Sequence, residues 1–136
     1  MQLAADLRIA TGRLSRRLRR VGEPYLPPLQ YAVLATLART GPCTLAELAA
    51  AEGVSKPTMS RVVTALARRG FVLRETSDVD ARKLRLSAAP EGVQALRGIA
   101  RDADEVLGTR MRGLGPLDRD RLVTAIPLFE QLLAED

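Results

Sequence analysis

Along the start of the chain Leu3, Leu7, Ala10, Leu14 and Leu18 recur at three- and four-residue spacing. That spacing puts them on one stripe of a helix over about residues 3–20. Gly22, Pro24, Pro27 and Pro28 then break the chain. Leu29 to Thr40 predicts a second helix, with Val33, Leu34 and Leu37 on one face and Gly41 as its stop. Thr44-Leu45-Ala46-Glu47 spells a capping box, in which hydroxyl and carboxylate each satisfy a free backbone N–H at a helix start. The short helix it opens, Leu45 to Glu52, ends at Gly53. Ser55 caps the next helix, and Pro57 sits in its first turn, where a missing N–H costs nothing. Met59, Val62, Val63 and Leu66 form its inward stripe, and Gly70 ends it.

The apolar period then falls from 3.6 to 2. Phe71 to Arg74 and Lys83 to Leu86 predict two short strands around a polar tip, Ser77 to Arg82. Pro90 opens a long helix with Leu96, Ile99, Ala103, Val106 and Leu107 inward. Gly113 and Gly115 interrupt it, and Pro116 opens a last helix to about Ala134. Pro127 inside that helix is expected to kink it. No internal repeat or low-complexity tract is present.

Two short helices meeting at Gly53 have helix-turn-helix spacing. Ala49 falls where the helices cross, and Leu48, Val54, Met59 and Val62 close a small core around it. A hairpin directly after the second helix makes the unit a winged helix-turn-helix. The fold class is therefore expected to be mainly α, with a small β-hairpin wing.

Composition narrows the function. With 136 residues, 46% of them hydrophobic, the chain is long enough for one domain with its own core. It has no histidine, which removes Ser-His-Asp and Cys-His nucleophile systems and most zinc and iron sites. Cys43 is the single cysteine, so neither an intrachain disulfide nor a cysteine metal cluster can form. Four aromatic residues, Tyr25, Tyr31, Phe71 and Phe129, are too few for an RNA surface built on stacked rings. No glycine-rich phosphate loop, signal-peptide pattern or membrane-length apolar run occurs. A cytoplasmic protein with no cofactor, no metal and no enzymatic activity is expected.

The formal charge is +5, and it is unevenly spread. Residues 53–87 hold eight Lys/Arg against Glu75, Asp78 and Asp80, whereas residues 88–136 hold six Arg against nine acids. Arg16, Arg17, Arg19 and Arg20 crowd the end of the first helix, where cations complement the helix dipole. The basic middle segment is the electrostatic footprint of a polyanion-binding element.

The chain resembles a MarR-type transcription regulator. The resemblance runs through Leu29-Gln30-Tyr31-Ala32-Val33-Leu34, Thr44-Leu45-Ala46-Glu47-Leu48-Ala49 and Val54-Ser55-Lys56-Pro57-Thr58-Met59-Ser60-Arg61. It continues in Leu66-Ala67-Arg68-Arg69-Gly70-Phe71-Val72, Asp80-Ala81-Arg82 and Pro90-Glu91-Gly92. It implies a single domain over residues 1–136, with residues 1–22 and 90–136 as dimerisation helices and 29–88 as the winged unit. It further implies a homodimer on a pseudo-palindromic operator, under small-molecule or oxidant control and acting more often as a repressor. Three positions depart from the pattern: Ala89 replaces a capping threonine, Asp78 offsets the wing acids, and Pro127 interrupts the last helix.

The candidate DNA-binding residues are Ser55, Lys56, Pro57, Thr58, Ser60, Arg61 and Thr64 on the recognition helix, with Arg68 beside them. Arginine can bond guanine O6 and N7 together, and Ser or Thr reaches bases or phosphates. Arg82 and Lys83 are the wing candidates, for the negative potential of a narrow minor groove. Asp80 resembles the family's acid that orients the wing arginine. The effector-binding residues are not identifiable from the sequence. Glu91, Asp102, Asp104 and Glu105 read as a solvated helix face. Cys43, in the turn before the capping box, reads either as a small core filler or as an oxidant-sensing thiol. The other alternative is a winged-helix protein-interaction module, against which the exposed-side cations Lys56, Arg61, Arg82 and Lys83 speak.

Overall fold

The computed structural model describes residues 1–76 and 84–134. The order is α1 (Gln2–Arg19), α2 (Pro28–Thr40), β1 (Cys43–Thr44), α3 (Leu45–Glu52), α4 (Lys56–Arg68), β2 (Val72–Thr76), β3 (Leu84–Ala88), α5 (Pro90–Met111) and α6 (Pro116–Leu133). The chain forms two compact units, Met1–Ala103 and Asp104–Asp136. This is a mainly helical winged-helix architecture, as the hydrophobic pattern predicts.

The first unit has one core. Leu34 and Leu37 of α2, Leu48 of α3, Met59 and Leu66 of α4 and Leu86 of β3 are almost wholly buried within it. Leu26 anchors the turn between α1 and α2, where the Tyr25 and Leu26 amides both donate to the Gly22 carbonyl, at 3.0 and 2.8 Å. At the two helix exits Gly53 (φ +67°) and Gly70 (φ +75°) take the left-handed conformation. Each lets the next residue reach back into the helix: Val54 N–H donates to Ala49 O and Phe71 N–H to Leu66 O, both at 3.0 Å. The turn at Gly53 joins α3 to α4, and the turn at Gly70 joins α4 to the wing.

Both hydroxyl caps form, but among the described residues the Glu47 carboxylate does not return the bond that a full capping box would make. Thr44 Oγ1 accepts from Glu47 N–H (3.2 Å), and Ser55 Oγ accepts from Thr58 N–H (3.3 Å). The strands differ from expectation. β2 starts at Val72 rather than Phe71, because the Phe71 amide is already used by the α4 exit turn. β3 runs to Ala88, which pairs with Val72, rather than stopping at Leu86. A third strand, β1, joins the sheet in the order β1-β3-β2, with Cys43 opposite Leu86 and Thr44 opposite Arg85. Two residues carry no period, so pattern alone could not reveal it. Cys43 is thus a buried strand residue rather than part of a turn.

The terminal helices α1 and α6 bury no residue, and α1 is amphipathic. On α1 Leu3, Ile9 and Leu14 are exposed. On α6 Leu117, Leu122, Val123, Ile126, Leu128, Leu132 and Leu133 are exposed, and the helix runs through Pro127 without ending. Val106 of α5, expected inward, is also exposed. Within the second unit Arg119 holds the end of α5, donating to the carbonyls of Met111 (3.3 Å) and Arg112 (3.2 Å). Among the described residues no helix is long and apolar enough to cross a membrane.

Candidate nucleic-acid interface

Helix α4 has a sharply divided surface. Met59, Val63 and Leu66 are buried, and Val62 packs partly against the core. The residues half a turn away, Pro57, Arg61, Thr64 and Arg68, follow one another by four, three and four positions and so share one stripe. Pro57, Arg61 and Arg68 are exposed, as are Ser55, Lys56 and Ser60, while Thr58 and Thr64 are half-buried. The stripe carries two cations and no acid. Among the described residues neither Lys56 nor Arg61 has an ion-pair partner; the one such pair is Asp118–Arg121 on α6.

Three hydroxyls have work inside the protein. Ser55 Oγ donates to Thr58 Oγ1 (2.9 Å), so both side chains belong to the α4 cap as well as to its surface. Thr64 Oγ1 accepts from Arg74 Nη2 (3.0 Å). Arg74 lies on β2 and is exposed. The bond ties the recognition helix to the wing and adds a cation beside Arg61 and Arg68. Sequence reading missed Arg74, whose only signal was an arginine within a basic segment. Asp80, Arg82 and Lys83 lie outside the described residues. Arg16, Arg17, Arg19 and Arg20 are all exposed at the end of α1.

A groove of about 660 Å³ runs along α5 in the same unit. It is lined by Pro90, Glu91, Gln94, Ala95, Gly98, Ile99 and Asp102 of α5, by Val21 and Tyr25 of the α1–α2 turn, and by Phe71 at the start of the wing. Glu91 and Asp102 are exposed, as a solvated face requires, and they also border the groove. Arg69, just after α4, lies over both aromatic walls, 5.2 Å from the Tyr25 ring centre and 4.7 Å from that of Phe71. Its Nη1 donates to the Tyr25 carbonyl at 2.7 Å. These contacts tie the C-terminal end of α4 to two walls of the groove.

Cys43 sits in the core, its thiol donating to Gly41 O at 3.4 Å and lying 3.7 Å from Thr40 Oγ1. Reactive thiols are partly exposed and set among cations. This one is buried. Cys43→Ser is expected to leave DNA binding, and its response to mild peroxide, unchanged. Release of the wild type but not the serine variant by peroxide would make Cys43 a sensor.

Fold and surface together define a winged helix-turn-helix protein with a basic recognition helix. The MarR family model matches residues 26–84. An uncharacterised HTH-type transcriptional regulator of Mycobacterium leprae, ML2140, is 37% identical over 135 residues, covering 98% of this chain and 94% of that protein. A crystal structure of a putative transcriptional regulator from Pseudomonas aeruginosa is 32% identical with a TM-score of 0.83, covering 99% of this chain and 96% of that one. A mutant S. aureus MepR bound to an oligodeoxyribonucleotide has the same fold, with a TM-score of 0.71 at 17% identity over 98% of this chain and 99% of that one. The chain belongs to the MarR family of transcriptional regulators.

Proposed function

We propose that the protein is a homodimeric, sequence-specific DNA-binding repressor released from its operator by a small molecule. The observation that carries DNA binding is the outer stripe of α4, exposed, cationic and free of acids, opposite the buried Met59, Val63 and Leu66. Arg61 reads base edges, and Lys56, Ser60 and Arg68 work beside it on the same exposed surface. Ser55, Pro57 and Thr58 bring the start of the helix to the groove, and Thr64 acts through Arg74. On the wing Arg82 and Lys83 enter the minor groove, and Asp80 supports Arg82. MepR in complex with an oligodeoxyribonucleotide, a protein of the same fold, supports this mode. The mechanism is steric: the dimer occupies a promoter, and an effector changes the spacing of the two recognition helices. The groove along α5 is the effector site, because Arg69 couples two of its walls to the end of α4.

The dimer is inferred from the apolar side chains that α1 and α6 leave exposed, which a second copy would cover. Sedimentation at micromolar concentration is expected to give twice the 14.8 kDa chain mass. A species of single-chain mass alone would refute the dimer. Selection of bound duplexes from a random library is expected to yield two half-sites about one turn, roughly 10 base pairs, apart. A library in which no sequence is enriched would leave only a non-specific binder.

Arg74→Ala is expected to weaken binding to operator and scrambled duplex alike. It removes a cation and frees the wing from Thr64. With two copies per dimer the slope of log affinity against log salt is expected to fall by up to about 2. An unchanged slope with lower affinity would leave Arg74 only its bond to Thr64.

A further inference from the structure

We infer that the groove along α5 takes an organic cation with a flat apolar body. This rests on the reading of that groove as the effector site. Glu91 and Asp102 are eleven residues apart on one helix, close to three full turns. They therefore lie on the same side, separated by about 16 Å. Gln94, Ala95, Gly98 and Ile99 fill the interval, and Gly98 leaves open space where another residue would carry a side chain. The floor is thus a mostly apolar strip with a carboxylate at each end. Tyr25 and Phe71 stand beside it.

Charge fixes the occupant. Among the described residues no Lys or Arg lines the groove, in a chain whose net charge is +5, although Arg69 stands over two of its walls. Among the described residues neither Glu91 nor Asp102 has a hydrogen-bond or ion-pair partner; the one ion pair is Asp118–Arg121. The nearby cation, Arg69, is committed to the Tyr25 carbonyl and to the two rings. Arg69 bonds only a neutral carbonyl and two rings and keeps its charge, so the site sets two carboxylates against one guanidinium, and an anion faces a carboxylate at either end of the strip. A ligand cation gains from either carboxylate, and the same aromatic pair already holds a guanidinium, so its ring faces suit positive charge. A flat body stacked on Tyr25 competes with Arg69 for that ring. It thereby loosens the attachment of the α4 end, which is the route to the DNA.

The test uses three probes with one body and three charges: 1-pyrenemethylammonium, 1-pyrenemethanol and 1-pyrenecarboxylate. Fluorescence anisotropy at one fixed ionic strength gives their affinities, and a gel shift gives operator release. The ammonium is expected to bind about fivefold tighter than the alcohol, and the carboxylate weakest. In the Glu91→Gln/Asp102→Asn double variant the three affinities are expected to fall within about twofold of one another, with alcohol binding retained. Operator release is expected to follow the same order. A carboxylate that binds as well as the ammonium and releases the operator would overturn the cation and keep the effector site. Ammonium binding without release would overturn the effector reading. A preference surviving in the double variant would place the cation elsewhere, and no binding by any probe would overturn both readings.

Discussion

Arg61→Ala is expected to abolish most operator discrimination while leaving the protein folded. Arg61 lies two residues after Met59, whose side chain is wholly buried. Two residues turn a helix by about 200°, so Arg61 points away from the core, and it is indeed exposed. Truncating an exposed side chain with no ion-pair partner among the described residues changes stability by about 0.5 kcal/mol or less. A bidentate arginine–guanine contact gives about 1–3 kcal/mol of discrimination, and a dimer makes it twice. The expected loss on the operator is therefore about 30-fold to 10⁴-fold. A scrambled duplex at the same salt concentration is expected to lose only one phosphate-range cation per half-site. Equal losses on both duplexes would demote Arg61 to a backbone contact. No loss on either would remove it from the interface.

The α4 surface was legible in the sequence because a helix turns its neighbours by a fixed angle. Once Met59, Val63 and Leu66 define the inward side, the outward side follows with no tertiary information. Arg74 was not legible for the opposite reason. Its role comes from a hydrogen bond to Thr64, ten residues away across a helix exit and onto a strand, and local periodicity does not encode that contact. β1 escaped likewise: Cys43 and Thr44 become a strand only because β3 offers Leu86 and Arg85 as partners.

The groove shows the same limit more sharply. Glu91 and Asp102 lie on the polar side of a long amphipathic helix, and a polar side normally faces water. What turns part of it into a groove wall is distant in sequence: the α1–α2 turn, tightened onto Gly22 O, and Phe71 at the wing start. The aromatic residues were too few to read as a nucleic-acid surface, yet two of the four converge on Arg69. Fold class and the exposed face of α4 follow from local pattern, whereas the groove follows from contacts between segments.

Gly92→Ala and Gly98→Ala are expected to change stability in opposite directions, although both replace glycine by alanine in α5. Alanine is favoured over glycine in a helix interior by about 1 kcal/mol. At Gly98 nothing lies within 4 Å of an added Cβ, so that gain is realised in full. At Gly92 an added Cβ would overlap the Phe71 carbonyl oxygen and lie 3.0 Å from Leu34 Cδ1. Leu34 is itself fully buried and has little room to move. The carbonyl is held by the Ala89 amide at 2.9 Å, the bond that fastens the start of α5 to the start of the wing. Relief therefore requires α5 to back away from Phe71, stretching that bond and opening the core. Overpacking of this kind costs about 1–3 kcal/mol, and the propensity gain is smaller in the first turn, so the cost wins. Thermal melts at one protomer concentration are expected to place Gly98→Ala above the wild type and Gly92→Ala below it, by about 4 °C per kcal/mol. Two variants that both melt above the wild type would mean that α5 can leave Phe71 without loss, and the tight junction between helix and wing would not be a constraint on the fold.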